Sequence, residues 1–138
     1  MEVQSKYASP LVLEKIEIIE STFRKKVSSL DGLELGVNVK HSIKETKEDT
    51  YEIILNKTVS DENESIYVNV KSKALFHTEQ TNKGLLEKNT IAIMFPYIRS
   101  YISIITTMPG MSPIVLPAMN IVAMINDHQE KNHHPQGD

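Results

Sequence analysis

Between Leu33 and Phe76, apolar and polar residues alternate with a period of two, and no other feature constrains the chain as much. Successive side chains of an extended strand point to opposite faces, so this pattern describes half-buried strands rather than helices. Leu33, Leu35, Val37, Val39, His41 and Ile43 alternate with Glu34, Gly36, Asn38, Lys40, Ser42 and Lys44. One face is apolar and the other wet, as in an antiparallel strand with a solvated side. A charged turn is expected over residues 45–49. Tyr51, Ile53 and Leu55 then alternate with Glu52, Ile54 and Asn56, and the polar residues 60–65 make a second turn. Ile66, Val68 and Val70 alternate with Tyr67, Asn69 and Lys71, and the pattern runs on through Ala74 and Phe76. Three consecutive strands joined by short polar turns predict a meander.

Residues 11–30 admit two readings. Val12, Ile16, Ile19, Phe23, Val27 and Leu30 fall at spacings of three and four, a helical stripe. Ile16, Ile18, Ile19, Thr22 and Phe23 are β-formers, however, and Lys15, Glu17 and Ser21 partly alternate with them. Asp31-Gly32 signals a turn in either case.

After Glu79 the character changes. Ile91, Met94, Phe95, Ile98, Tyr101, Ile102 and Ile105 recur at three and four, which predicts a long amphipathic helix over residues 90–108 with Thr90 as its N-cap. Pro96 lies too deep for a first-turn position, so the helix is expected to start nearer Phe95 or to bend there. The opposite face, with Arg99, Ser100, Ser103, Thr106 and Thr107, is only mildly polar, which points to a covered helix and hence a subunit interface. Met108-Pro109-Gly110 ends the helix, and Pro113 and Pro117 hold Ile114, Val115 and Leu116 extended. A short helix over residues 119–126 and a polar, disordered tail over residues 127–138 are expected to follow.

Composition narrows the function. The 138 residues suit one domain. Fifteen Lys and Arg against 18 Asp and Glu give a net charge of −3, so there is no basic excess for a nucleic acid backbone or an anionic membrane. Residues 1–7 lack the apolar core of a signal peptide, and no apolar run is long enough to span a bilayer, so a cytoplasmic protein without membrane insertion is expected. The absence of Cys removes disulfides and thiol nucleophiles. No phosphate loop, nucleophile elbow or metalloprotease helix is present, so neither an enzyme nor a cofactor is expected. His128, His133 and His134 lie in the polar tail without the supporting groups that a metal site needs, and no metal is expected.

What stands out is an accumulation of flexible and aromatic residues after position 75: Phe76, Met94, Phe95, Tyr97, Tyr101, Met108, Met111, Met119 and Met124. Met is unbranched and polarizable, so a Met-rich surface can repack around different apolar side chains. The alternative is that these residues fill the core.

The run Met94-Phe95-Pro96-Tyr97-Ile98-Arg99 resembles the Phe-Pro-Tyr-Ala-Arg helix opening of the SecB protein-export chaperone family. Residues 111–121, with Pro113, Leu116, Pro117, Asn120 and Ile121, resemble the same family's crossover loop and second helix. Residues 49–55 and 74–76 resemble two of its strands, so the likeness covers residues 12–126. It implies an α+β fold, with a four-stranded antiparallel sheet carrying one long and one short C-terminal helix on one face. Residues 11–30 then become a strand. Residues 1–10 would be an N-terminal extension to a domain spanning residues 11–126.

The resemblance further implies a homotetramer, a dimer of dimers, that acts as an ATP-independent holdase for unfolded or precursor polypeptides and delivers them to the export motor SecA. Together with the Met-rich second half, it points to a client groove made by Phe76, Phe95, Tyr101, Met111, Ile114, Leu116, Met119, Ile121 and Met124. Family members used in export carry an acidic sheet surface for the motor. Glu20 keeps one such carboxylate, but Arg24 and Asn69 stand where two others would align. The alternative is a partner-specific interaction module, such as the dedicated chaperone of an antitoxin, as in other SecB-like proteins.

Overall fold

Alternation in the sequence becomes alternation in burial. The computed structural model describes residues 11–79, 82–107 and 113–116. Its elements are β1 (Val12–Lys25), β2 (Gly36–Lys47), β3 (Thr50–Ser60), β4 (Ile66–His77) and the helix α1 (Lys83–Thr107). Ile66, Val68, Val70, Ala74 and Phe76 of β4 are buried, as are Ile53, Leu55 and Val59 of β3. Ser72 occupies a buried position of the same row, and its hydroxyl donates to the Leu55 carbonyl at 3.1 Å, which removes the penalty of an unpaired polar group.

The strands form one antiparallel sheet in the order β1-β4-β3-β2. The two-residue connection from β2 to β3 places Asp49 at φ 56, a left-handed conformation that Asp tolerates better than most residues. At the turn from β3 to β4, Asp61 accepts the Ile66 N–H at 3.0 Å on its side chain and the Glu64 N–H at 3.1 Å on its carbonyl. The Ile66 N–H holds the Asp61 carboxyl below its ordinary value, against the opposing effect of burial.

Residues 11–30 owe their double reading to two irregularities. The β1–β4 register shifts between Leu13 and Lys15 and again between Ile18 and Glu20. Each bulge adds a residue, so Leu13, Ile16, Ile18, Ser21 and Phe23, which pair with Phe76, Ala74, Ser72, Val70 and Val68 on the buried side, are spaced 3, 2, 3 and 2. The steps of three imitate a helix. Val12 and Ile19, part of the apparent helical stripe, are exposed.

Other boundaries moved for identifiable reasons. β2 begins at Gly36 rather than near Leu33, because its last partner is Ser60, where β3 ends. Leu33 and Leu35 still pack against the core, outside the ladder. The charged turn expected over residues 45–49 is shorter, since β2 runs to Lys47. The helix starts at Lys83, not at Thr90 or near Phe95, and continues through Pro96. Asn82 caps it, its side-chain oxygen accepting the Leu85 N–H at 3.0 Å and its carbonyl the Leu86 N–H at 2.9 Å. Thr90 lies buried inside, its hydroxyl donating to the Glu87 carbonyl at 3.0 Å. The short helix expected over residues 119–126, the extension over residues 1–10 and the tail over residues 127–138 fall outside the described residues.

Replacing Asn82 with Ala removes the cap. It is expected to lower unfolding stability by about 1 kcal/mol, read as a reduced urea midpoint at fixed protein concentration.

Candidate functional site

α1 carries one row of buried side chains, Ile91, Met94, Phe95, Ile98 and Ile102, onto the inner face of the sheet. Polar contacts then fix its direction. Near its start, Glu87 Oε1 pairs with His41 Nε2 on β2, with both side chains largely buried. In its middle, the Phe95 ring lies 4.1 Å from the Lys57 ammonium on β3. Further on, the Tyr101 hydroxyl lies 2.9 Å from Ser21 Oγ on β1. Since β2 and β1 are opposite edges of the sheet, the helix is laid across the strands.

Residues 113–116 return along the helix as an extended strap. Ile114 and Leu116 are buried, while Pro113 and Val115 are exposed, an alternation of period two that holds Val115 at 64% exposure. Two hydroxyls grip the strap at one residue: Ser103 Oγ donates to the Ile114 carbonyl at 3.0 Å, and Thr106 Oγ1 accepts the Ile114 N–H at 2.9 Å while donating to the Ile102 carbonyl at 2.8 Å. Thr106, expected on the mildly polar outer face, is therefore buried. Its neighbours on that face stay open, and Tyr97 and Ile104 are 51% and 61% exposed. Pro96, Arg99, Ser100, Ser103 and Ile104 line a depression of about 480 Å³ beside the strap.

Of the residues assigned to a groove by sequence, Phe76, Phe95, Ile114 and Leu116 come together in one buried apolar cluster, and Tyr101 packs against it. Met111, Met119, Ile121 and Met124 lie outside the described residues. Glu20 sits elsewhere, on the outer face of β1, opposite Lys71. Around it are Lys73 opposite Glu17 and Arg24 opposite Tyr67, the Arg24 guanidinium lying 4.4 Å from the Tyr67 ring and bonding Glu64 at 3.1 Å. Asn69 is occupied within the sheet, donating to Asn56 and Thr58 at 2.8 Å.

Sequence reasoning missed Lys57. It falls at the inward position of β3 between Leu55 and Val59, and it is 1% exposed. Continuing the period of two beyond Leu55 would have placed it inside. Among the described residues no carboxylate lies within ion-pair distance of it; the Phe95 ring is its charge-stabilising contact. Burial, with a smaller push from the Arg99 guanidinium, lowers its ammonium from 10.5 to about 8.

Two outcomes are expected. Replacing Lys57 with Met is expected to raise stability near pH 7 by about 1 to 3 kcal/mol, because a buried charge with no carboxylate beside it among the described residues gives way to an apolar chain of similar length. Between pH 8 and 10.5 the unfolded wild-type chain holds more protons at this site than the folded one. Wild-type stability therefore gains with rising pH there, and the advantage of the variant shrinks toward the upper end; chemical denaturation across that range checks it. Replacing Thr106 with Val leaves the Ile114 N–H buried and unpaired, at a cost of about 1 to 3 kcal/mol. Faster amide hydrogen exchange at Ile114 than in the wild type is the expected signature.

Comparison with known proteins follows the same outline. The chain superposes on a SecB-like chaperone of Mycobacterium tuberculosis, solved in complex with a peptide from an antitoxin, with a TM-score of 0.65. The match covers 80% of this chain and 88% of that one at 13% identity, which speaks for a shared fold. An uncharacterized protein of Methanocaldococcus jannaschii is 41% identical over 44 residues, a match spanning 32% of this chain and 28% of the archaeal protein's length. The family profile described as preprotein translocase subunit SecB matches residues 1–132. With its antiparallel sheet, the helix laid across it and a family match over nearly its whole length, the chain belongs to the SecB family.

Proposed function

We propose that this chain is an ATP-independent holdase that keeps non-native polypeptides from aggregating by burying their apolar side chains. SecB family membership makes it a chaperone. The observation that carries the holdase reading is the strap. Its buried residues Ile114 and Leu116 cover apolar side chains of the sheet and helix, and two hydroxyl groups hold its backbone at Ile114. When the strap swings away from α1, Phe76, Phe95, Ile114 and Leu116 become available to an unfolded segment, beside Tyr101, Met111, Met119, Ile121 and Met124. Apolar burial of about 25 cal/mol per Å² requires no client sequence. Met supplies a surface that adapts to different clients.

Assembly as a homotetramer, a dimer of dimers, in the cytoplasm completes this reading. Two features support it: β1 lies at the sheet edge and exposes Val12 and Ile19, and the outer side of α1 exposes Tyr97 and Ile104. Several grooves on one assembly would add weak contacts through effective concentration. Delivery of clients to the export motor SecA, with Glu20 as a contact, is the export form of the reading.

The alternative, a dedicated chaperone of one antitoxin, has its own support. The mycobacterial neighbour was captured with an antitoxin peptide. On the outer sheet face, Lys71 faces Glu20 and Lys73 faces Glu17, which offsets the carboxylates that a motor contact would use.

Light scattering of a chemically unfolded reporter protein, diluted into the purified chain without nucleotide, tests the general reading. Suppression of aggregation near one tetramer per reporter is expected, with a loss of at least about half of it in the Met111→Asp, Met119→Asp double variant at unchanged circular dichroism. An intact assembly without suppression, together with a single stoichiometric partner in a pulldown, would replace the general holdase by the dedicated one.

A further inference from the structure

The face of the sheet that α1 does not cover breaks the period of two at two places. Ile54 follows Ile53 on β3, and Leu75 follows Ala74 on β4, so each is an apolar residue at an outward position. The register sets Ile54 opposite Lys73 and Leu75 opposite Glu52. That makes Ile54 and Leu75 diagonal neighbours, close enough for long side chains to touch. Both are half-buried, and they stand on the opposite side of the sheet from the core.

Cations frame this pair. Lys71 on β4 and Lys40 on β2 share one row across the sheet, on either side of Asn56, and Lys44 follows Lys40 by four residues along β2. Two strand spacings and four residues of strand are about 10 Å and about 13 Å. Lys71, Lys40, Lys44 and Leu75 therefore mark the corners of a patch of that size, with Ile54 at its centre. The other lysines of the face are engaged: Lys73 lies 3.8 Å from Glu52, and Lys15 lies 3.7 Å from Glu17. Lys40, Lys44 and Lys71 have no carboxylate within ion-pair distance among the described residues, and Glu20, opposite Lys71 on the edge strand β1, is likewise outside that distance.

The chain as a whole has a net charge of −3, so this basic patch is a local reversal of sign. Carboxylates complement it. A nucleic acid backbone would satisfy the lysines but offers nothing to Ile54 and Leu75, and an anionic bilayer is held by roughly four to eight basic residues in a cluster. A stretch of polypeptide with Asp or Glu on both sides of an apolar residue satisfies the lysines and the apolar pair together.

We propose that the outer face of the sheet is a docking surface for an acidic polypeptide segment, which sets carboxylates on Lys40, Lys44 and Lys71 around an apolar side chain seated on Ile54 and Leu75. The inference goes beyond the holdase reading and does not depend on it, because the groove lies on the other face of the sheet. A client in the groove and an acidic partner on the outer face can then be held at once.

The test uses fluorescence anisotropy with the full-length protein and three short labelled peptides, identical except for Glu, Gln or Lys at the positions flanking a central Leu. Wild type is expected to bind the Glu peptide about tenfold more tightly than its Gln twin at low salt, and the Lys twin more weakly still. Added salt should shrink this advantage. It should vanish in the Lys40→Glu, Lys71→Glu double variant, which should suppress aggregation of the unfolded reporter as wild type does. If that variant departs from the wild-type circular dichroism, Lys40→Gln, Lys71→Gln takes its place, with the advantage cut about threefold. Ile54→Thr, which keeps a β-former at the position, should weaken the Glu and Gln peptides alike. Equal binding of those two peptides by wild type, or an advantage that survives in a folded lysine variant, overturns the inference. Tighter binding of the Lys twin overturns it in favour of a basic partner, and displacement of the Glu peptide by a short DNA duplex at lower concentration than by unlabelled peptide overturns it in favour of phosphate. Failure of wild type to suppress reporter aggregation overturns the holdase reading instead and leaves the peptide result to decide this one.

Discussion

The covering of a four-stranded sheet by one helix laid across it is the constraint on which the rest depends. A sheet with one apolar face is stable in water only when that face is covered, and α1 is the sole element of that length among the described residues. An antiparallel sheet leaves its other face to solvent, so a single layer of helix suffices. The covering runs the whole way from His41 on one edge to Ser21 on the other. Where it runs short, the 113–116 strap fills in with Ile114 and Leu116. The candidate site is thus the margin of the core itself, closed by the 113–116 strap.

Polar groups inside this core divide into two kinds. Ser72, Thr90 and Thr106 each give their proton to a nearby carbonyl, so burial costs them little. Lys57 is of the other kind, a charge whose described contact is the face of an aromatic ring. Burial beneath Phe95, with a smaller push from Arg99, holds its ammonium below the ordinary value.

Legibility in the sequence followed contact order. Strands β3 and β4 were readable because burial alternates from Ile53 to Ser60 and from Ile66 to Phe76, and most inward positions are apolar. β1 was ambiguous because its two bulges insert steps of three into a pattern of two, and only its register against β4 separates this from a helix. The helix start was misplaced because the first two turns, residues 83–89, lack a clean apolar stripe; their cap, Asn82, is a polar residue among other polar residues. Thr106 looked like a surface residue because a hydroxyl carries no sign of the chain segment that will return to it.

By itself, the sequence determined the fold class, the strands of period two, the long helix and the resemblance to the SecB family, because periodicity and short motifs are properties of neighbouring residues. Tertiary structure alone decided which positions share a place: Lys57 with Phe95, Thr106 and Ser103 with Ile114, Tyr101 with Ser21, His41 with Glu87. These pairs lie between 8 and 80 residues apart in the chain. Local pattern cannot encode them, because each forms only when the helix has settled across the sheet and the strap has closed against it.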